Sequence, residues 1–149
     1  LMCGMLEMFV GEQSHQQWCA DGNIHVSGVC NKVKEKYKLV LTITLADKWH
    51  LNQIKDEFNL PVPVSVQAIK GWTIEHVLYP AFITKTLGFQ KEPMNIFEGT
   101  IQISADLSND SNEITFPKNL LKLKLGLQAC DESKCLAPEN VSCIIPIFE

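Results

Sequence analysis

The sequence lacks an apolar run approaching the ~20 residues of a membrane-spanning helix. It lacks a basic surplus as well: 13 Lys and Arg stand against 17 Asp and Glu, for a net charge of −4. Nucleic-acid binders rest on such a surplus, so that class is set aside. There is no Gly-x-Gly-x-x-Gly, no phosphate-binding loop, no His-Glu-x-x-His and no serine nucleophile elbow. Nucleotide, zinc-protease and serine-hydrolase chemistry therefore have no foothold, and no cofactor is expected. Internal repeats, a domain linker and a convincing helical period are missing too.

What remains is an ordinary globular composition, 46% hydrophobic and 20% charged, with an unusual residue. Six cysteines in 149 residues point to an oxidising compartment or to dedicated thiol chemistry. The length suits one domain with a sizeable core. The first residue is Leu, so a fragment or a processed product is expected. Leu1 to Gly22 shows no clean period and reads as an irregular or helical leader, a signal remnant or non-native sequence, docked through Trp18. That puts the folded domain at residues 23–149.

From Asn23 onward the chain reads as strands and turns. Asn23 to Cys30 alternates. Tyr37, Leu39, Leu41, Ile43 and Leu45 share one face at period two. Leu60 to Val66 is β-rich, but Pro61 and Pro63 cannot donate to a ladder, so an edge is expected. Trp72 to Leu78 alternates again. Ala81 to Pro93 has no strand period and reads as a long loop, of the kind that often carries function. Ile96 to Leu107 and Lys118 to Leu127 resume the alternation. Val141 to Phe148 closes the chain, with Pro146 marking an edge or an end of pairing. Seven or eight short strands with turn signals between them indicate an all-β sandwich.

The centre of interest is Gln128-Ala129-Cys130-Asp131-Glu132-Ser133-Lys134-Cys135-Leu136-Ala137-Pro138-Glu139, between the last two strands. Neighbouring strands lie about 4.8 Å apart, close enough for a disulfide to form there. A staple across so short a loop contributes only about 2 kcal/mol in the chain-entropy model. A short exposed loop also admits an attacking thiolate. From spacing alone, staple and redox pair stand level. Metal binding is the weaker reading, because no second Cys/His pair at ligand spacing lies nearby.

This segment resembles the signature of the N-terminal periplasmic domain of the thiol:disulfide interchange protein DsbD. Ala46-Asp47-Lys48-Trp49-His50-Leu51 and Asn95-Ile96-Phe97-Glu98-Gly99 resemble further family segments, and the likeness runs from about Val33 to Phe148. The spacer between the cysteines has four residues here, against five in well-known members. The resemblance implies an immunoglobulin-like β-sandwich and a thiol–disulfide exchange activity, that of a protein-disulfide reductase domain within a larger enzyme. It implies that Cys135 bonds to partners and that Cys130 resolves the bond. Lys134 beside Cys135 favours a thiolate; Asp131 and Glu132 oppose one at Cys130. It further implies an aromatic cap over the cysteines, matched here by Phe89, and places Trp49 and His50 near them. A histidine beside a thiol stabilises a thiolate or relays a proton.

The implied donor is a thioredoxin-like domain, and the implied acceptors are a periplasmic disulfide isomerase or a cytochrome c maturation thioredoxin. The implied location is the periplasm, as part of an inner-membrane protein. Cys143 is expected as a buried free thiol. Cys3, Cys19 and Cys30 have no family counterpart, and a leader disulfide among them stays open. Two other functions stay in view: a non-catalytic immunoglobulin-like binding module with a structural disulfide, and a small metal-handling domain using Cys130, Cys135 and His50.

Overall fold

Period-two alternation decides the fold. The computed structural model describes residues 4–6, 16–52, 64–68, 71–86, 93–109 and 119–149. These form β1 (Gly4–Leu6), β2 (Gln16–Cys19), β3 (Ile24–Val33), β4 (Lys36–Leu45), β5 (Leu51–Asn52), β6 (Ser65–Ala68), β7 (Trp72–Leu78), β8 (Ile83–Lys85), β9 (Met94–Phe97), β10 (Thr100–Asn109), β11 (Leu120–Leu127) and β12 (Glu139–Phe148). In β4, Tyr37, Leu39, Leu41, Ile43 and Leu45 are buried while Lys38 and Thr44 are exposed. Successive strand side chains point to opposite faces, so this spacing creates one apolar face that must be covered.

Two sheets cover each other. They are two halves of one nine-stranded path joined where β12 meets β3: the first runs β2-β3-β4-β10-β7, with β1 on β2, the second runs β6-β11-β12, and β5-β9-β8 forms a separate three-stranded sheet. Leu41 and Ile43 of the first sheet and Leu123, Leu125 and Ile145 of the second belong to one buried cluster. This is the expected all-β, immunoglobulin-like sandwich. The sheets approach closely at Gly28, where an added Cβ would lie 2.8 Å from both Ile145 Cδ1 and Leu41 Cδ2. Near its end β12 changes sheets. Leu120 pairs with Pro146, and then Ile147 and Phe148 pair in parallel with Cys30 and Asn31 of β3. Pro146 has no N–H to offer, yet pairing does not end there as the sequence suggested: Ile147 N–H donates to the Asn119 carbonyl at 2.9 Å, just beyond the Leu120–Pro146 pair. The expected edge near Val64 and Val66 is β6, the last strand on its side of β11.

Four local expectations change. Gln16–Cys19 is a strand on the edge of β3, not an irregular or helical segment, and Trp18 is 45% exposed, its ring against His25. The strand read to Cys30 continues as β3 to Val33, and Lys34 and Glu35 make the turn after it, with Lys34 at φ 62°. The stretch read as one long loop contains β8, which pairs with β9. The strand read from Ile96 to Leu107 is broken at Glu98 and Gly99 into β9 and β10. Gly99 takes φ 76°, a left-handed conformation that costs glycine nothing.

Candidate redox site

The segment 128–138 links β11 to β12 and folds back on itself. Asp131 drives the fold-back. Its Oδ1 accepts hydrogen bonds from the backbone N–H of Ser133 (2.8 Å), the backbone N–H of Lys134 (2.8 Å) and the Ser133 hydroxyl (3.1 Å). An Asp that bonds the backbone two and three residues on is a turn-maker. These bonds, the Ser133 N–H first, hold the Asp131 carboxyl below the usual carboxylate range. Two further bonds close the base: Leu136 N–H donates to the Ala129 carbonyl, and Gln128 Nε2 donates to the Leu136 carbonyl, each at 2.9 Å.

This fold-back brings Cys130 and Cys135 face to face as a disulfide, with Cα atoms 4.0 Å apart. The two sulfurs have unequal surroundings. Cys130 is 0% exposed, while Cys135 is exposed.

The other edge of Cys130 is held by His50. His50 N–H donates to the Cys130 carbonyl at 2.9 Å, and Cys130 N–H donates to the His50 carbonyl at 3.1 Å. Residues paired in this way present their side chains on one face, with Cβ atoms about 4.5–5.5 Å apart. His50, Cys130 and Cys135 therefore stand in one row. β5 continues from His50, sending Leu51 to the opposite face and Asn52 back to the face of His50. Leu51 pairs with Phe97 and Asn52 with Ile96, and Ile96 pairs in turn with Ile83. One ladder thus runs from Cys135 through Cys130, His50–Asn52 and β9 to β8.

Two polar atoms in this row lack a hydrogen-bond partner among the described residues: His50 Nε2 and Asn52 Oδ1. Both side chains are 2% exposed. Burial pushes the His50 ring below its ordinary 6.5; Glu98 and Asp131 pull it back up, and Lys85 adds to the lowering. Lys85 and Glu98 bond to each other at 3.3 Å.

The other predicted positions are distributed as follows. Trp49 is half-buried against the core, and its backbone N–H donates to the Ala46 carbonyl at 3.0 Å. The Lys134 side chain is exposed, and its backbone N–H belongs to the Asp131 turn. Phe89 lies outside the described residues. Phe97 is 1% exposed and stacked on Tyr79, a core position. Cys143 is buried and free, and so are Cys19 and Cys30; burial pushes all three thiols up to about 12. Among the described residues no group of three or more His, Cys, Asp or Glu side chains is placed to hold a metal ion.

Sequence reasoning missed Asp131 as a turn-maker, Gln128 as a clasp and Asn52 as a buried polar residue. The Asp-x-Ser-Lys spacing was the available signal for the first. For Asn52 there was none, since its burial follows from the pairing of β5 with β9.

Comparison with known proteins agrees with this geometry. Residues 26–144 match the family described as thiol:disulfide interchange protein DsbD, N-terminal. No curated protein matches the sequence. Among solved structures, the N-terminal periplasmic domain of ScsB from Proteus mirabilis superposes with a TM-score of 0.62 at 13% identity, covering 88% of this chain and 49% of that one. The chain therefore spans about half the length of that relative. The DsbD N-terminal domain of Neisseria meningitidis, in its reduced form, gives a TM-score of 0.50 at 14% identity, over 81% of this chain and 83% of that one. The GAE domain of yeast GGA1 gives 0.51 at 12% identity over 97% and 99%, which at that identity speaks for the fold alone. No helix among the described residues is long and apolar enough to cross a membrane. With its sandwich, its cysteine loop and a family match over most of its length, the chain belongs to the N-terminal domain family of the thiol:disulfide interchange protein DsbD.

Proposed function

We propose that the chain is a thiol–disulfide exchange domain that passes reducing equivalents through Cys130 and Cys135 to oxidised periplasmic proteins. The observation that carries this reading is the unequal pair: an exposed Cys135 bonded to a fully buried Cys130. Exchange requires a thiolate to reach one sulfur along the S–S axis. Only Cys135 offers that access, so Cys135 bonds to partners and Cys130 resolves.

In the reducing direction, the Cys135 thiolate attacks a partner disulfide and forms a mixed disulfide. Cys130 then attacks Cys135 Sγ and frees the reduced partner. A thioredoxin-like domain returns the electrons. The acceptor is a disulfide isomerase or a cytochrome c maturation thioredoxin, and the domain works as part of an inner-membrane protein-disulfide reductase. Phe89 shields the pair between encounters. The shield keeps wrong oxidants away until a docking partner displaces it.

The test is a trap. Cys130→Ser should accumulate a mixed disulfide with an oxidised thioredoxin-like protein on a non-reducing gel, and Cys135→Ser should accumulate almost none. Equal trapping by both variants removes the assigned asymmetry. Trapping by neither, with both folded, turns the disulfide into a staple and the domain into a binding module. Phe89→Ala should speed alkylation of the reduced pair without loss of fold, and an unchanged rate would place the shield elsewhere.

A further inference from the structure

We propose that His50 is the proton acceptor for the resolving thiol of Cys130, and so governs how fast a mixed disulfide is released. The proposal rests on the exchange reading above and deepens it. Three observations meet here. His50 and Cys130 are directly opposed, joined by two backbone hydrogen bonds, with side chains on one face. His50 is 2% exposed, and its Nε2 has no hydrogen-bond partner among the described residues. An unpaired buried nitrogen is unfavourable and calls for an explanation. The oxidised pair has no S–H to offer it. On reduction Cys130 gains that donor, in the adjoining position of the row.

The chemistry of Cys130 requires such a neighbour. Cys130 is as buried as Cys30 and Cys143, whose thiols burial pushes up to about 12. Burial disfavours the charged form of a thiol at such a position. A base at hand changes this, because the thiolate then forms as half of an ion pair with the imidazolium. His50 accepts as the neutral tautomer protonated at Nδ1, with Nε2 bare, and burial, though it weakens the ring as a base, leaves it free to take the proton. Burial keeps its ring neutral at neutral pH against the pull of Glu98 at the end of β9 and Asp131 in the motif loop, and Lys85 of β8 acts with burial.

The resolving step then balances. In the mixed disulfide, Cys135 Sγ is bonded to the partner sulfur. The Cys130 S–H proton passes to His50 Nε2. The electron pair left on Cys130 Sγ forms the bond to Cys135 Sγ. The bond between Cys135 and the partner breaks, and the partner sulfur leaves with that pair as a thiolate. The imidazolium returns its proton to the leaving thiolate or to water. The Cys130–Cys135 dithiol has been oxidised by two electrons and the partner disulfide reduced.

The test uses the reduced protein, in a Cys3→Ser background, mixed with the aryl disulfide dithiobis(nitrobenzoate). The first thionitrobenzoate released reports attack by Cys135, and the second reports resolution by Cys130. His50→Gln keeps a polar side chain that cannot titrate. It should leave the first phase within about twofold and slow the second about tenfold or more at neutral pH, with a second phase that rises more steeply with pH than in the wild type. A second phase with unchanged rate and pH profile overturns the proposal. Equal slowing of both phases also overturns it and leaves His50 a scaffold residue. A wild type that shows no first phase overturns the exchange reading itself, a distinct failure. A measurement on the wild type guards against a variant that fails to fold. The His50 ring titration followed by NMR should move upward on reduction of the disulfide, and an unmoved titration overturns the proposal.

Discussion

Cys30 and Cys143 lie on facing sheets of the sandwich, 0% and 1% exposed, and burial pushes their thiols up to about 12. Cys135 hangs in an exposed turn at the end of the same sandwich, tied to Cys130. In the core, cysteine acts as a small apolar filler. In the loop it is chemically accessible. The difference teaches that residue type alone assigns no role to the cysteines of this chain; the surrounding dielectric and the access to sulfur do. On the proposed reading it also separates two duties, stability in the sandwich and reactivity in the loop.

The widest gap should appear in thiol labelling. After mild reduction, a maleimide at neutral pH should modify Cys135 about 10³-fold faster than Cys30 or Cys143, from thiolate fraction alone for an ordinary exposed thiol. Peptide mapping after a timed quench reads this directly. Labelling of Cys143 as fast as Cys135 would break the comparison.

Stability should follow the opposite order. Leu123 is fully buried and pairs with Cys143 across β11 and β12. Leu123→Ala should lower stability by about 2–5 kcal/mol in urea denaturation, from lost burial and the cavity left behind. Reducing the Cys130–Cys135 bond should cost about 2 kcal/mol by loop entropy. A reduced protein that loses more than the Leu123 variant would make the disulfide a structural staple.

The smallest effect concerns acid. Burial pushes the His50 ring below its ordinary 6.5, so the unfolded chain takes up that proton first as pH falls. Its contribution is therefore whole above 6.5 and is lost as pH drops through the lower folded value. The depressed Asp131 carboxyl acts in the same direction at lower pH, while Glu139, pushed up by burial, acts in the opposite one. The urea midpoint should fall between about pH 7 and about pH 5, and fall less in His50→Gln. Equal slopes in the two proteins would mean that His50 titrates alike folded and unfolded.

The sandwich was readable wherever one face of a strand is buried and the other wet. β4 and β10 show this, because Leu39, Leu41, Ile101 and Ile103 repeat at period two. The cysteine pair was readable from its spacing and from the residues around it. β2 was not readable, because Gln17 and Cys19 are its buried pair and neither marks an apolar face. β8 was not, because Ile83, Thr84 and Lys85 are all exposed and leave no alternation. His50 stood out as a residue type beside an aromatic. Its unpaired nitrogen arises only when the ladder sets it across from Cys130, a contact spanning most of the domain in sequence.

The Asp131 turn has a kinetic meaning. By gathering Ser133 and Lys134 onto one oxygen, it shapes the turn that sets Cys135 against Cys130 through bonds other than the one between the sulfurs. Each thiol then sees the other at a very high effective concentration. Thiols free in solution cannot compete with that, so on the proposed exchange reading adducts at Cys135 would be short-lived. A carrier of the proposed kind, built in this way, would work by brief encounters. Its throughput would then depend on how often partners arrive, with no need to hold any of them for long.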